Sequence, residues 1–283
     1  MLSLLTLNIQ AAALTRAQAL LRWMDTRTEE LFILTETSSG PGTAHLLDQC
    51  RHAGLTVLHA PGTAGERGVA MVSRVPIVAR PDLVAGVTLP GRVSVGTVAG
   101  DPELTVVGVY VPSSDRAPDK VSRKRDFVAS LLGAVGRIPA AERATLVLGG
   151  DYNVITRDHQ PSYPGFLPFE YAMLDALETH GLVDAYQLCS PGVQAHSWIG
   201  RSGNGYRFDY FHVGPFLVDH VAGCSYLHEP RELKLTDHAA ALLTLRVPQV
   251  ARLTANTVAQ PGTGTLSRPS GAWQRESASR RCR

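Results

Sequence analysis

Short apolar runs rich in β-branched residues alternate with amphipathic stretches along most of the chain, and this alternation limits the possible folds more than any other feature. The runs predict nine strands, at residues 2–9, 31–35, 56–60, 68–73, 93–99, 105–111, 145–149, 207–213 and 239–247. Apolar residues recur at helical spacing in residues 16–26, 44–53, 123–135 and 171–179. Because alternating strands and helices bury their apolar faces against one another in layers, the pattern predicts one α/β domain over residues 1–247.

The composition changes after residue 247. Residues 248–283 are rich in Thr, Ala, Gly, Ser, Pro and Arg, and five arginines follow Ser267. Such a segment has too little apolar surface to offset the conformational entropy that ordering would cost. We predict a disordered basic tail, which either adds weak, salt-sensitive contacts to a polyanion or is simply solvated.

Charge and cysteine content narrow the class of protein. The formal net charge is +2, from 27 basic and 25 acidic residues, so overall charge does not by itself indicate a nucleic-acid or membrane partner. Cys50, Cys189, Cys224 and Cys282 are widely separated, which predicts reduced thiols rather than a zinc motif or a disulfide framework. No signal-peptide pattern is present, and no apolar run approaches the roughly 20 residues that span a bilayer. We therefore expect a cytoplasmic protein with no membrane partner.

Polar side chains lie where several predicted strands end. Asn8 closes the first strand, Glu36 follows the second, and Tyr110 lies at the end of the sixth. Glu36 is a potential Mg²⁺ ligand, because this cation binds through one or two carboxylates together with water and substrate oxygens. The phenol of Tyr110 can donate a hydrogen bond to a phosphate oxygen. Taken singly, Glu36 is also compatible with an exposed charge, and Tyr110 with a residue that anchors a loop.

The sharpest local signal is the segment that ends the predicted strand at 145–149. Gly149 and Gly150 allow the backbone to turn tightly, and Asp151 and Asn153 follow, two residues apart, with their side chains on the same side. A carboxylate and a carboxamide delivered together at a strand end indicate a functional site rather than a simple turn.

Asp209 and His238 form a further candidate pair, although they lie in separate segments. An aspartate can accept a hydrogen bond from an imidazole, which fixes its tautomer and favours the imidazolium form as negative charge develops on a phosphate. His238 considered alone would be a structural histidine.

In order and spacing, these clusters resemble the exonuclease III and abasic-site endonuclease branch of the endonuclease/exonuclease/phosphatase superfamily. The resemblance covers residues 2–247 and depends on five matches: Asn8 in the opening strand, Glu36 after the second, Gly150-Asp151-Tyr152-Asn153, Arg207-Phe208-Asp209-Tyr210, and Thr236-Asp237-His238 in place of Ser-Asp-His. It implies a DNase I-like four-layer α/β sandwich, in which two packed mixed β-sheets are flanked by helices. It also implies a Mg²⁺ cofactor that Mn²⁺ can replace, and a monomer that acts on double-stranded DNA, including abasic or 3′-damaged DNA.

One position separates the branches of that superfamily. Phosphatase-like and DNase I-like members carry a histidine where this chain has Tyr110, and exonuclease III-like members carry tyrosine followed by x-Pro, as here. Lys124 matches a phosphate-contacting lysine of bacterial exonuclease III. Trp198 and Tyr206 lie where abasic-site endonucleases use aromatic side chains to hold an extrahelical sugar. Gln10 is a departure, because some relatives have Asp or Asn there.

The resemblance also implies roles for these residues. Glu36, with Asp237 and Asn8, would hold the metal ion. Asp151 would orient and deprotonate the attacking water and Asn153 would position it, while Tyr110 and the Asp209–His238 pair would bind non-bridging phosphate oxygens. The choice between Asp151 and His238 as general base stays open. Substrate contacts would come from Asn8, Lys124, Trp198 and Tyr206. The charge of Arg67 predicts a further contact with phosphate, the alternative being a simply solvated side chain.

The predicted function is Mg²⁺-dependent hydrolysis of the DNA backbone in repair, as a 3′-5′ exonuclease, an abasic-site endonuclease, or both. One alternative retains the catalytic centre but acts on a small-molecule or lipid phosphoester, against which Tyr110 and the basic residues between 116 and 125 argue. Another is a non-catalytic scaffold or nucleic-acid-binding domain. The complete acidic set argues against that, because carboxylates brought together without a metal repel one another.

Overall fold

Two six-stranded mixed sheets form the centre of the protein, in a computed structural model that describes residues 1–60, 65–163, 165–200, 202–248 and 253. The strands are β1 (Leu2–Asn8), β2 (Leu31–Thr37), β3 (Thr56–His59), β4 (Gly68–Ser73), β5 (Ile77–Ala79), β6 (Val93–Val98), β7 (Leu104–Tyr110), β8 (Leu146–Asp151), β9 (Val183–Asp184), β10 (Trp198–Ile199), β11 (Gly205–Tyr206), β12 (Asp209–Val213), β13 (Val221–Leu227) and β14 (Ala240–Leu245). The first sheet has the order β13-β14-β1-β2-β4-β3 and the second β5-β6-β7-β8-β12-β9, while β10 and β11 form a separate hairpin.

Helices flank the two sheets. They are α1 (Leu14–Asp25), α2 (Pro41–His52), α3 (Pro118–Arg137), α4 (Ala140–Ala144), α5 (Pro168–Thr179), α6 (Ala185–Cys189) and α7 (Glu229–Glu232). Leu20 and Leu46 of α1 and α2 pack with Phe32 of the first sheet, and Phe127 and Met173 of α3 and α5 pack with the second. A third apolar layer lies between the sheets. The predicted four-layer α/β sandwich is thereby confirmed.

Strand composition explains why the sheets lie inside. Every residue of β4, β6, β7 and β8 is buried, because each of these strands has apolar partners on both of its faces. Strands covered on both faces lack the apolar–polar alternation of half-exposed strands and appear as continuous apolar runs. This is why the sequence located the central strands well.

The element boundaries differ from the predictions in two ways. The four predicted helices begin earlier than expected, at Leu14, Pro41, Pro118 and Pro168, because their first turns lack the apolar stripe by which the sequence located the helices. Proline is favoured in the first helical turn, where its missing N–H is not needed. The strands β5, β9, β10, β11 and β13 were not predicted, since they are short or lie at sheet edges where burial is incomplete.

Of the predicted tail at 248–283, only Pro248 and Leu253 are among the described residues, and the Leu253 amide donates a hydrogen bond to the Arg74 carbonyl at 2.7 Å. The rest of that prediction lies outside the described residues. Cys50, Cys189 and Cys224 are free thiols, and Cys282 lies outside the described part. Within the described part of the chain, no helix has both the length and the apolar character needed to cross a bilayer.

Candidate active site

The predicted site residues meet because the strands that carry them end at one edge of the sandwich. β1 runs parallel to β2 and β7 parallel to β8, so that the carboxyl ends of each pair lie side by side. β12 and β14 run antiparallel to β8 and β1, which brings the amino-terminal end of each to the same edge. In register, Asp151 lies opposite Tyr110 on one side and Asp209 on the other.

Asn8 joins the two sheets at this edge. Its Nδ2 donates to Glu36 Oε1 at 3.0 Å and to Asp151 Oδ2 at 2.9 Å, while its Oδ1 accepts from the Gln10 amide at 2.8 Å. The predicted role of Asn8 as a metal ligand stays a prediction, since that oxygen has a second lone pair beside the one that accepts from Gln10. In this geometry Asn8 holds the two carboxylates in place.

Irregular backbone conformations at the ends of β2 and β8 set the direction of the acidic side chains there. The pairing of β2 with β4 is interrupted between Thr35 and Thr37, and Glu36 there has a φ of 54°. An extra residue of this kind bends the strand and redirects its side chain. Asn153 also has a positive φ, of 50°, in the turn after β8, where its amide donates to Asp151 Oδ1 at 2.9 Å.

His238 and Asp209 form the predicted pair. His238 Nδ1 lies 2.8 Å from Asp209 Oδ2, and both side chains are buried. Ser197 Oγ accepts from the Asp209 amide at 3.1 Å, and Thr236 Oγ1 donates to the Asn8 carbonyl at 2.7 Å, so both segments are fixed to neighbouring elements. Burial alone would lower the pKa of His238, but the carboxylates of Asp209, Asp151 and Asp237 raise that pKa to about 9.

The surroundings of Asp151 disfavour its charged form. Burial, followed by the charge of Asp209, raises the pKa of the Asp151 carboxyl, while the His238 charge acts in the opposite direction. Tyr110 donates to Glu36 Oε1 at 3.0 Å, and burial together with the Glu36 and Asp151 carboxylates raises the pKa of Tyr110. The phenol is therefore protonated near neutral pH and can act as a donor.

The donor set fits a hard divalent cation. Within the described residues, the ligand atoms of Asp151, Asp209 and His238 lie within 4.8 Å of one another. Asp209 Oδ1 is buried and has no hydrogen-bond partner in the described part of the chain. Mg²⁺ prefers oxygen ligands, so the fit depends on the carboxylates of this cluster rather than on the His238 imidazole. Glu36, which also contributes to raising the pKa of Asp151, supplies a further carboxylate.

Two other predicted residues lie beside this centre. The Arg67 side chain is 44% exposed, with its Nε 4.0 Å from Glu36 Oε2. Asp237 is half-exposed, its Oδ1 lies 4.0 Å from His238 Nε2, and its Oδ2 accepts from Trp198 Nε1 at 3.0 Å. Both charges are therefore accessible at the rim of the site.

A cleft of about 790 Å³ opens over Glu36, Tyr110, Asp151 and His238 and is bounded on one side by aromatic rings. Trp198 and Tyr206 were predicted from the sequence, and Tyr163, Phe166 and Phe208 complete this aromatic wall. Tyr206 and Phe208 stack with centroids 5.9 Å apart at 11°, and Trp198 lies 5.7 Å from Phe208. The wall combines the β10–β11 hairpin with the segment before α5. Among the unpredicted members, Phe208 carried a sequence signal, because it lies inside a matched motif.

Lys124 is the predicted residue that the structure places elsewhere. Its side chain is buried, and Nζ donates to Glu170 Oε1 at 2.5 Å and to the Asn153 carbonyl at 2.8 Å. The predicted contact with a substrate phosphate is therefore corrected, because the ammonium group lies beneath the Asp151–Asn153 turn and does not line the cleft. Glu170 Oε2 also accepts from the Leu167 amide at 2.7 Å, which links the turn to the segment that carries Phe166.

Paired sheets whose joined ends carry clustered carboxylates and a His–Asp pair define a phosphoester hydrolase. The chain belongs to the Endonuclease/Exonuclease/phosphatase family, whose profile matches residues 5–270. This result confirms the family predicted from the sequence.

Several solved structures share this fold. A variant of the 3′ phosphatase NExo from Neisseria, bound to product DNA hairpin, has a TM-score of 0.72 and 20% identity over 87% of this chain and 99% of its own. An AP endonuclease from Archaeoglobus fulgidus has a TM-score of 0.71 and 18% identity over 87% of this chain and 100% of its own. The 3′-5′ exonuclease NExo from Neisseria meningitidis has a TM-score of 0.71 and 22% identity over 86% and 99%. No curated protein matches the sequence. At these identities the likeness shows the fold, and the exonuclease III-like branch stays a prediction from the sequence.

Proposed function

We propose that this protein is a Mg²⁺-dependent phosphodiesterase that hydrolyses the DNA backbone, as a 3′-5′ exonuclease, an abasic-site endonuclease, or both. The proposal depends chiefly on one observation: Glu36, Tyr110, Asp151 and His238 all line a single cleft, although they come from both sheets. Hydrolysis of a phosphodiester requires an activated water, stabilisation of the charge that develops on phosphorus, and protonation or neutralisation of the leaving oxygen. This set of side chains can divide those tasks.

Glu36 and Asp237 would hold Mg²⁺, with Asn8 keeping the Glu36 carboxylate in place through its 3.0 Å hydrogen bond. When bound, the ion would neutralise charge on the phosphate and on the leaving oxygen. A cation here would also offset the mutual repulsion of Glu36, Asp151 and Asp209, which is visible in the raised pKa of Asp151. Mn²⁺ would substitute, since it accepts a similar set of oxygen ligands.

Asp151 would orient the attacking water and accept its proton, and Asn153 would hold that water through its side-chain carboxamide. The His238 imidazolium, oriented by Asp209 at 2.8 Å, would bind a non-bridging oxygen, and the Tyr110 hydroxyl would bind another. Preorganised donors aimed at developing charge are a large source of catalytic acceleration. We assign the base to Asp151 because the carboxylates around His238 outweigh its burial and raise the pKa of its imidazole to about 9, which keeps the ring charged at neutral pH.

Features of the cleft support DNA as the substrate. The structural neighbours include an AP endonuclease, a 3′-5′ exonuclease and a 3′ phosphatase bound to product DNA hairpin. The aromatic wall of Trp198, Tyr206 and Phe208 offers apolar ring faces and edges to a sugar or base taken out of the helix. Arg67 at the rim can pair with a backbone phosphate.

A panel of end-labelled substrates tests this proposal. Duplexes carrying an abasic site, a nick, a blunt end or a 3′-phosphate, with a single strand and inositol phosphates for contrast, would be incubated with protein freed of metal and then supplied with Mg²⁺ or Mn²⁺. We expect metal-dependent cleavage of at least one DNA substrate and little release of phosphate from inositol phosphates. Hydrolysis confined to inositol phosphates, or turnover that EDTA leaves unchanged, would contradict it.

A further inference from the structure

Arg92 lies directly beneath Tyr110, in a position that the sequence did not single out. It ends the short 3₁₀ turn Pro90–Arg92, immediately before β6, and is 7% exposed. The guanidinium carbon lies 4.5 Å from the centroid of the Tyr110 ring, while the Tyr110 hydroxyl at the far end of that ring donates to Glu36. A buried positive charge therefore lies against the face of a ring that carries a proposed phosphate ligand.

Hydrogen bonds do not explain this burial. Arg92 Nε has no acceptor among the residues that the structure describes. Its terminal nitrogens reach the Tyr110 carbonyl and Glu66 Oε2 only at 3.5 Å, and Glu66 is shared with Arg123. Arg207 offers a contrast, because it is equally buried and lies 4.3 Å from the Tyr210 ring but makes two hydrogen bonds to Asp184.

A buried cation with such weak partners costs folding free energy, and Glu66 keeps Arg123 as an ion-pair partner when Arg92 is replaced by an apolar residue of similar size. An under-satisfied polar group inside a native protein calls for an explanation. The ring of Tyr110 supplies one, since the negative face of a phenol attracts a guanidinium and the contact strengthens when water is excluded.

We propose that Arg92 is a positioning residue for catalysis, which fixes the Tyr110 ring over its guanidinium and makes the phenol a stronger donor to the scissile phosphate. The inference rests on the proposed function, in which Tyr110 is the group that contacts phosphate. Arg92 itself is buried and does not line the cleft, so it acts through Tyr110 and through the positive potential it places behind that ring.

Steady-state kinetics on the DNA substrate that the protein cleaves best would test the inference. For Arg92→Met we expect kcat to fall about tenfold, in line with a desolvated cation–π contact, with KM within about twofold of its original value. The melting temperature should be unchanged or higher, which loss of a merely structural residue would not produce. Arg92→Lys retains the positive charge, so its kcat should fall less than that of Arg92→Gln. Arg92→Gln also replaces Arg92→Met in the test if Arg92→Met does not fold.

A double-mutant cycle with Tyr110→Phe shows whether the loss of kcat in Arg92→Met depends on the Tyr110 hydroxyl. Once the hydroxyl is absent, Arg92→Met should change kcat by less than about twofold. Arg74→Met is the matched control, since the Arg74 guanidinium lies 5.3 Å from the Phe32 ring and donates to the Arg27 and Met24 carbonyls. It should lower stability and leave kcat unchanged.

The outcomes separate the inference from the proposed function. An impaired Tyr110→Phe beside an Arg92→Met enzyme of unchanged kcat would overturn the role of Arg92 alone. Equal losses from Arg92→Met with and without the Tyr110 hydroxyl would also overturn it, because Arg92 would then act independently of Tyr110. A fully active Tyr110→Phe would remove the phosphate contact from the proposed function and the inference with it.

Discussion

The Asp151 carboxyl group lies in surroundings that disfavour its negative charge. Burial and the neighbouring charge of Asp209 raise the pKa of this carboxyl, although its two oxygens accept hydrogen bonds from Asn8 and Asn153. A folded-state pKa above the unfolded value of about 3.9 means that the ionised group destabilises the fold at neutral pH, to an extent that disappears as pH falls. Such a site is typical of a group that is retained for chemistry.

We therefore expect Asp151→Asn to separate activity from stability. Turnover of DNA should fall at least about 1000-fold, because the general base is removed. The melting temperature, measured in EDTA, should stay the same or rise by a few degrees, because the repulsion with Asp209 and Glu36 is relieved. Asp158 is exposed, so Asp158→Asn serves as the control and should change neither turnover nor the melting temperature. An Asp151→Asn enzyme that turns over at the original rate would remove Asp151 from the mechanism.

A second prediction at the residue scale concerns His212 and the pH dependence of stability. His212 lies in β12, stacked against Tyr152 with centroids 5.5 Å apart, and burial lowers its pKa to about 4. Because the folded state disfavours the charged imidazole, the fold is stabilised above the unfolded pKa of about 6.5, and that stability is lost as pH falls from there towards 4.

Between pH 7 and 4.5, the free energy of unfolding should fall by about 2 to 3 kcal/mol more in the original protein than in His212→Phe, in which nothing titrates at this position. Urea unfolding at several pH values would measure both profiles. Parallel profiles would show that His212 is not buried in its neutral form.

At the scale of the element, β8 depends on a glycine directly before Asp151. Gly150 has a φ of +142°, and a Cβ added there would lie 1.9 Å from the Val109 carbonyl oxygen on β7. The strained φ and the backbone clash act together, and neither can be relieved without separating β7 from β8. The same displacement would move Asp151 away from Asn8.

Gly150→Ala should accordingly reduce the free energy of unfolding by at least about 3 kcal/mol, among the larger effects of single substitutions. Turnover by the fraction that folds should fall as well. Gly223→Ala on β13 is the matched control, because a Cβ there meets no described atom within 4 Å, and its effect should remain within about 0.5 kcal/mol. Comparable losses for both variants in chemical denaturation would contradict the steric explanation.

The elements also show what the sequence could and could not predict. Central strands such as β7 and β8 were located well because an apolar run buried on both faces needs no information from distant residues. Lys124 was misplaced because its burial depends on Glu170, 46 residues away on α5, and an amphipathic pattern does not show which polar side chain finds a buried partner. Arg92 was missed for a similar reason, since its contact with Tyr110 arises only when β6 pairs with β7.

At the scale of the whole molecule, charge is unevenly distributed along the chain. Residues 254–283 carry five arginines and one glutamate, a net charge of +4, whereas the complete chain has +2, so residues 1–253 carry −2. A catalytic unit with a slightly negative charge attracts a polyanion only through local features such as Arg67. The positive excess that could draw DNA towards the cleft from a distance lies in the predicted tail.

Removal of residues 254–283 should therefore weaken DNA binding without altering catalysis. At saturating DNA kcat should be unchanged, whereas Kd should rise at low salt, and the slope of log Kd against log salt should fall by up to about 4, close to one unit for each phosphate that the tail no longer neutralises. Full-length protein with its five tail arginines replaced by glutamine should reproduce both changes, which would assign them to charge rather than to chain length.

Because the family profile extends to residue 270, the same truncation tests the predicted boundary at residue 247. A shortened protein that does not fold would place part of the tail inside the domain, and an unchanged salt slope would leave the arginines solvated rather than bound to DNA.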